Sequence, residues 1–425
     1  MKKLLALLLA VCLIFAGAAG YFLGRGVSAP GSLEDTQPDI YGGTDGGAQD
    51  AQEAEAPAEN DGDADTAADS PAVQALDYEA MYALHAPEDV VLRIGGRDVT
   101  WDRYFYALYS QAAYVEDYFY AMADYYGLSF TWTDMLDEES GSSYMDWVLD
   151  YTEDTLLQQY AVTGYAEENG VVLTEADREE LALILQEDIQ GYCGEDATEE
   201  DFWAYLSEEY LSPETYRWIN EASYLYQLGY VRLYGETGEL YDADAAVAWL
   251  EDNGYLSASH ILLMTIDPST GEALDEAAVQ AQYAQAEALL AELQAIEDPE
   301  ARLQRFRELK DEYCEDTGKL AFPDGYTFTP GTMVSEFEDA VNALGDYELS
   351  GIVETSYGYH IILRLPLSAD SALSDYTDDY GMPLTARGAA SNEDYGDRLQ
   401  AYFDTLPMEY ADGFRPPVLT DYVLE

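Results

Sequence analysis

The chain has 425 residues, 85 of them acidic and 18 basic, for a formal net charge of −67. That length exceeds one ordinary domain, so two or three are expected, and an apolar share of 48% is enough for sizeable cores. The charge excludes nucleic-acid binding, which needs Lys and Arg to displace the counterions of phosphate; it fits a solvated surface or a preference for cationic partners.

Met1-Lys2-Lys3 is followed by an uncharged apolar run from Leu4 to Leu23. A basic start before such a run is an export signal. At ~1.5 Å per residue, about 20 residues also suffice to span a ~30 Å hydrocarbon core. Residues 1–25 therefore read as a signal or a membrane anchor, with cleavage after the small residues Ala16-Gly17-Ala18 as the alternative to retention. The positive-inside rule leaves everything after Arg25 on the extracytoplasmic side of the cell membrane. Cys12 sits in mid-run after Val11, which argues against lipidation. Residues 26–75 are rich in Ala, Gly, Asp, Glu and Pro, and no Lys or Arg occurs between Arg25 and Arg93. Such a stretch buries too little to offset the entropy of ordering, so it reads as a disordered acidic tether.

Beyond Cys12 the only cysteines are Cys193 and Cys314. A disulfide framework is excluded, and two free, mostly buried thiols are expected. The three histidines and three cysteines show no metal-ligand spacing, so no metal is expected.

Residues 76–250 read as mostly helical after a short extended start. Val90–Ile94, Gly95-Gly96 and Arg97–Val99 predict a hairpin. Thr100 then starts a helix to about Tyr126 with the stripe Tyr104, Leu108, Ala112, Val115, Phe119. A second helix runs from about Tyr144 to Glu168 and stops at Asn169-Gly170. Thr174 with Asp177 and Thr198 with Asp201 have capping-box spacing. Ser212-Pro213 opens another helix, to about Tyr234. This order resembles the N-terminal chaperone region of SurA- and PrsA-type exported foldases. Many of the 38 tyrosines fall here and in the tail; ordinary packing or reversible contacts with unfolded chains would each account for them.

Residues 255–367 carry the densest set of motifs. Ala258–Leu263 is a β-rich run containing His260. Two helices follow, marked by Val279, Tyr283, Ala286, Leu290, Leu293 and by Leu303, Phe306, Leu309, Tyr313. Pro330-Gly331 signals a turn, and Val334, Phe337, Val341 and Leu344 give the next helix one apolar face. Ile352–Thr355 and Tyr359–Leu365 read as strands joined by Ser356-Tyr357-Gly358, with His360, Ile362 and Arg364 on one face. The words Gly-x-Met-x-x-x-Phe-Glu-x-Ala (from Gly331), Leu-Ser-x-x-Val-x-Thr (from Leu349) and Gly-Tyr-His-Ile-Ile (from Gly358) resemble parvulin-type peptidyl-prolyl isomerases. The resemblance implies an α+β domain with a four-stranded antiparallel sheet. It also implies isomerisation of X–Pro bonds, with polar groups His260, Asp316 and His360 and a proline pocket of Phe328, Met333 and Phe337. Asp316 takes the family's acidic or thiol position; Cys314, two residues earlier, is read as incidental. Met333 and Phe337 are expected one turn apart on one helix.

Two departures stand out. Where the family shows Gly-Gly-Asp-Leu-Gly-x-Phe, this chain has Ala321-Phe322-Pro323-Asp324-Gly325-Tyr326-Thr327-Phe328, and only Phe328 matches cleanly. No Lys or Arg occurs from 233 to 301, so phosphoserine–proline recognition is not expected.

Rotation about an X–Pro bond needs neither nucleophile, metal nor cofactor. The barrier of ~18–20 kcal/mol comes from amide resonance, so the catalyst must favour the twisted bond by an apolar ring pocket and fixed electrostatics. Residues 368–425 read as a tail, loop-like from Asp370 to Asn392, helical over Tyr395–Phe403 and extended near Pro416-Pro417. By the foldase analogy the tail packs on the helical domain. The reading is an exported, membrane-tethered foldase acting on unfolded clients, perferring cationic ones by charge; the alternative is a holdase whose parvulin module is catalytically inactive.

Overall fold

The structure, a computed structural model, describes residues 73–137, 140–377 and 382–424. The expected membrane segment 4–23, Cys12 and nearly all of the acidic tether lie outside them. Among the described residues no helix is long and apolar enough to cross a membrane. The first elements are α1 (Tyr78–Tyr82), the hairpin β1 (Val90–Ile94) and β2 (Arg97–Thr100), and the long α2 (Trp101–Tyr126). The pair β3 (Met135–Asp137) and β4 (Ser142–Ser143) leads into α3 (Tyr144–Glu168), α4 (Glu175–Cys193), α5 (Glu199–Ser207) and α6 (Pro213–Tyr234). Next come α7 (Ala243–Asp252), β5 (Leu256–Met264), α8 (Glu276–Gln294), α9 (Pro299–Tyr313), β6 (Tyr326–Phe328) and α10 (Ser335–Asn342). Then follow β7 (Leu349–Glu354), β8 (Gly358–Arg364), β9 (Ala372–Thr377), β10 (Pro383–Thr385), α11 (Ala386–Phe403) and β11 (Met408–Tyr410).

These elements form two units, one of residues up to Tyr226 with Leu399 onward, the other Gln227–Arg398. In the first unit the helix starts follow from local chemistry. Thr174 with Asp177 and Thr198 with Asp201 are reciprocal capping boxes, and Ser143 with Asp146 is a third. Thr100 holds the N-cap position of α2, but its hydroxyl makes no capping bond. The core gathers Trp101, Tyr104, Phe105, Phe130, Trp132 and Leu156 around the hairpin. Each such side chain fully buried contributes roughly 1.5–3 kcal/mol. β11 closes the sheet in the order β11-β1-β2, with Leu92 opposite Tyr410.

The second unit is built on a six-stranded sheet in the order β10-β9-β6-β5-β8-β7. The four-stranded antiparallel sheet expected from the sequence is therefore incomplete. β6, β5, β8 and β7 do pair antiparallel, but β9 joins β6 in parallel and β10 extends the edge. The additional strands come from the stretch read as a loop. Its polar residues face outward, and Leu373 alone of β9 is fully buried, against Leu250, Tyr255 and Ala386. The helix expected over Tyr395–Phe403 begins at Ala386. α7 lies in this unit too: Ala246 packs with Ala369 and Ala390.

Alternation along β5 and β8 divides the core. Ile261, Leu263, Ile361 and Leu363 pack against α8 and α9 with Leu289, Leu293, Phe306 and Leu309. Ala258 and Ile362 point to the other face, with Phe328, Phe337 and Val341. His260 and His360 share that second face.

Candidate active site

β5 and β8 place the two histidines side by side. His260 sits opposite Ile362 and His360 opposite Leu262, so the imidazoles are diagonal neighbours on adjacent strands. Their ring centroids are 5.1 Å apart. Phe337 of α10 stands edge-on to both, at 5.3 Å from His260 and 5.8 Å from His360. The turn that aims β8 needs a glycine: Gly358 has φ +149°, and a Cβ there would overlap the backbone of Leu263.

Phe328 and Phe337 have ring centroids 6.0 Å apart, and Met333 packs into the same apolar cluster. The structure thus brings together all six residues singled out in the sequence. One placement differs. Met333 is not on the helix with Phe337, because α10 starts only at Ser335, after Val334 in an extended N-cap conformation. Met333 sits on the preceding loop, which Glu338 holds from within α10: its Oε1 accepts from Gly331 N–H at 2.8 Å and Met333 N–H at 2.9 Å.

The polar groups differ in character. Asp316 Oδ2 lies 3.2 Å from His260 Nε2, Oδ1 accepts from Gly318 N–H at 2.8 Å, and Tyr326 Oη donates to Oδ2 at 2.6 Å. Burial opposes ionisation of Asp316, but His260, Tyr326 and the Gly318 N–H outweigh it and hold the carboxyl well below the usual range. Burial likewise opposes charge on His260, yet Asp316 and Cys314 outweigh it and raise its pKa. His360 behaves oppositely: burial, then the charge of His260, push it down to about 3. Its Nε2 lies 2.8 Å from Thr355 Oγ1. His260 and Asp316 thus form a close pair in which each favours the charged form of the other, beside a His360 whose protonation burial opposes.

Cys314 is not incidental in position. Its thiol accepts from Leu262 N–H at 3.4 Å and lies close enough to His260 to favour the charged imidazole. The cause is local. Cys314 and Asp316 both have extended backbone, and Glu315 N–H pairs with Leu262 O at 2.9 Å. In an extended segment, residues two apart face the same way. Among the described residues both cysteines are free; Cys314 is buried and Cys193 half-buried.

The departing segment 321–327 is ordered by groups whose spacing in the sequence does not connect them. Lys310, 3% exposed, donates to Pro323 O at 2.8 Å and Phe322 O at 3.4 Å. Tyr326 lies parallel to the His260 ring, with centroids 5.6 Å apart and planes 8° from parallel. Tyr326, Thr355, Glu338 and Lys310 were all missed as site residues. Thr355 and Glu338 carry a signal, Thr355 as the last residue of the Leu-Ser-x-x-Val-x-Thr word and Glu338 as the glutamate of Gly-x-Met-x-x-x-Phe-Glu-x-Ala.

The arrangement sets an apolar cluster of Phe328, Met333 and Phe337 beside the close pair His260–Asp316. Residues 260–365 match the family described as "Rotamase: PPIC-type PPIASE domain". The chain is 30% identical over 215 residues to the foldase protein PrsA of Oceanobacillus iheyensis, covering 50% of this chain and 60% of that protein. It is 41% identical over 85 residues to foldase protein PrsA 1 of Bacillus cereus, covering 20% of this chain and 30% of that protein. The chain thus matches less than two thirds of the length of either relative. The solved structure of PrsA from Bacillus subtilis is similar at 18% identity, with 62% of this chain and 86% of that chain covered and a TM-score of 0.22.

Proposed function

With residues 260–365 a PPIC-type peptidyl-prolyl isomerase domain, we propose that this chain is an exported foldase that isomerises X–Pro bonds in unfolded client proteins. One observation carries the reading: the close pair His260–Asp316 and the neighbouring His360 lie against the same apolar cluster as Phe328, Met333 and Phe337. In the reaction the proline ring enters the apolar recess. Rotation about the bond ends amide resonance and makes the prolyl nitrogen pyramidal, so the groups that fix the twisted geometry accelerate it. His260 and Asp316 supply a fixed dipole at the recess, and His360 supports the His260 ring. Lowering the barrier by ~4 kcal/mol would speed the step about a thousandfold.

Residues 4–23 support a signal or anchor, placing the folded part on the extracytoplasmic side of the membrane. The first unit is the proposed client-holding part. The far end of α2 exposes Tyr114, Tyr118, Tyr120, Tyr125 and Tyr126, and no Lys or Arg occurs between Arg103 and Arg178, which favours cationic clients. The second reading, a holdase with an inactive module, is favoured by one observation: Tyr326 occupies the altered wall against His260. A proline-limited refolding assay of the full chain separates them. Acceleration supports the foldase; client binding without acceleration supports the holdase.

A further inference from the structure

We propose that Tyr326 is a positioning residue of the isomerase site, locking the Asp316 carboxylate and the His260 ring in register from the wall where this chain departs from the family pattern. The inference rests on the isomerase reading above. Three observations carry it. The phenol donates to Asp316 Oδ2, the same oxygen that lies 3.2 Å from His260 Nε2. The phenol ring lies flat over the His260 ring. The third is Gly318, where a Cβ would overlap the Tyr326 hydroxyl, so its lack of a side chain leaves the space the phenol needs.

The consequence follows from sharing one oxygen. His260 meets Asp316, Cys314, Tyr326 and His360, and the Lys310 ammonium acts on Asp316 and Cys314 from α9. Among the described residues only Tyr326 both donates to the carboxylate and stacks on the imidazole. The hydroxyl spreads the carboxylate's charge and stops it from swinging away from Nε2. Without it, Asp316 is a stronger acceptor for His260 but a less fixed one. Neither His260 ring nitrogen makes a well-aligned hydrogen bond, so the ring depends on stacking and charge for its orientation.

The test uses the full chain, with Tyr326→Phe, Tyr326→Ala and Gly318→Ala. Three histidines make imidazole proton titration by NMR assignable. Tyr326→Phe keeps the ring and deletes the donor. It should raise the His260 pKa and lower kcat/KM for X–Pro isomerisation roughly tenfold, the loss expected for a hydrogen bond to a charged group. Gly318→Ala displaces the phenol, so it should shift the His260 titration in the same direction and add little on top of Tyr326→Phe. An unchanged His260 titration in both variants overturns the proposal. So does faster isomerisation by Tyr326→Ala, which would make the ring an obstruction. An inactive wild type refutes the isomerase reading, and the proposed coupling of Tyr326 to His260 then stands or falls on the titration.

Discussion

Asp316 Oδ2 and His260 Nε2 lie 3.2 Å apart in a site where His360, on the neighbouring strand, is held neutral. Two imidazoles with ring centroids 5.1 Å apart thus shift in opposite directions, His260 toward the protonated form and His360 away from it. The difference is made by the segment after α9, which delivers a carboxylate to one ring and not to the other.

Replacing Asp316 by Asn removes the partner that raises the His260 pKa. A histidine with a raised folded pKa adds stability below its unfolded value of ~6.5, lost as pH rises through the folded value. A carboxylate with a lowered folded pKa adds stability above ~3.9, lost as pH falls further. Both contributions coexist between about pH 4 and pH 6.5. The stability gap between wild type and Asp316→Asn, measured by urea denaturation, should be widest there and narrow above it. A gap independent of pH would mean the pair does not interact.

His360 has the opposite sign. Its folded pKa, about 3, lies below the unfolded value, so its contribution is complete above pH ~6.5 and is lost as pH falls toward 3. His360→Gln should cost stability at pH 7 yet show a shallower loss on acidification. Parallel wild-type and mutant curves between pH 6.5 and 3 would show that His360 protonates freely in the folded chain.

Lys310 ties α9 to the departing wall through the carbonyls of Phe322 and Pro323. Lys310→Met keeps the apolar stem but leaves those carbonyls without their donor. A loss of roughly 1–3 kcal/mol is expected, together with faster proteolytic nicking between Phe322 and Tyr326. Unchanged stability and nicking would remove Lys310 from the account of this wall.

Charge gives a prediction for clients. Binding of basic unfolded chains should weaken as salt rises from low ionic strength to 0.5 M, because the Debye length falls from ~10 Å at 0.1 M to ~3 Å at 1 M. Equal binding of basic and acidic clients at low salt would exclude the cationic preference.

Much of this molecule is legible in its sequence where the signal is local. Asn169-Gly170 marks the end of α3, the Thr–Asp pairs mark two helix starts, and alternation along Tyr359–Leu365 puts His360 and Ile362 on one face. The strands over 372–385 were hidden because one buried leucine, Leu373, is too little to show a period. Tyr326 and Lys310 were hidden for another reason. Their partners, Asp316 and the carbonyls of Phe322 and Pro323, are 10 to 13 residues away and meet them only through the fold. Met333 was put on the helix because its spacing from Phe337 fits one turn, whereas Glu338 captures the Gly331 and Met333 N–H groups and holds them in a loop.

The central claim is that the recess of Phe328, Met333 and Phe337 holds a proline while its bond twists. The most direct measurement is kcat/KM for a proline-containing peptide with wild type and Phe337→Ala, folding being checked by circular dichroism. Phe337 is 3% exposed and touches both imidazoles, so its loss should reduce kcat/KM by about a hundredfold or more, a loss of ~3 kcal/mol or more, while client holding by the first unit stays within twofold. Full activity in a folded Phe337→Ala chain would contradict the account.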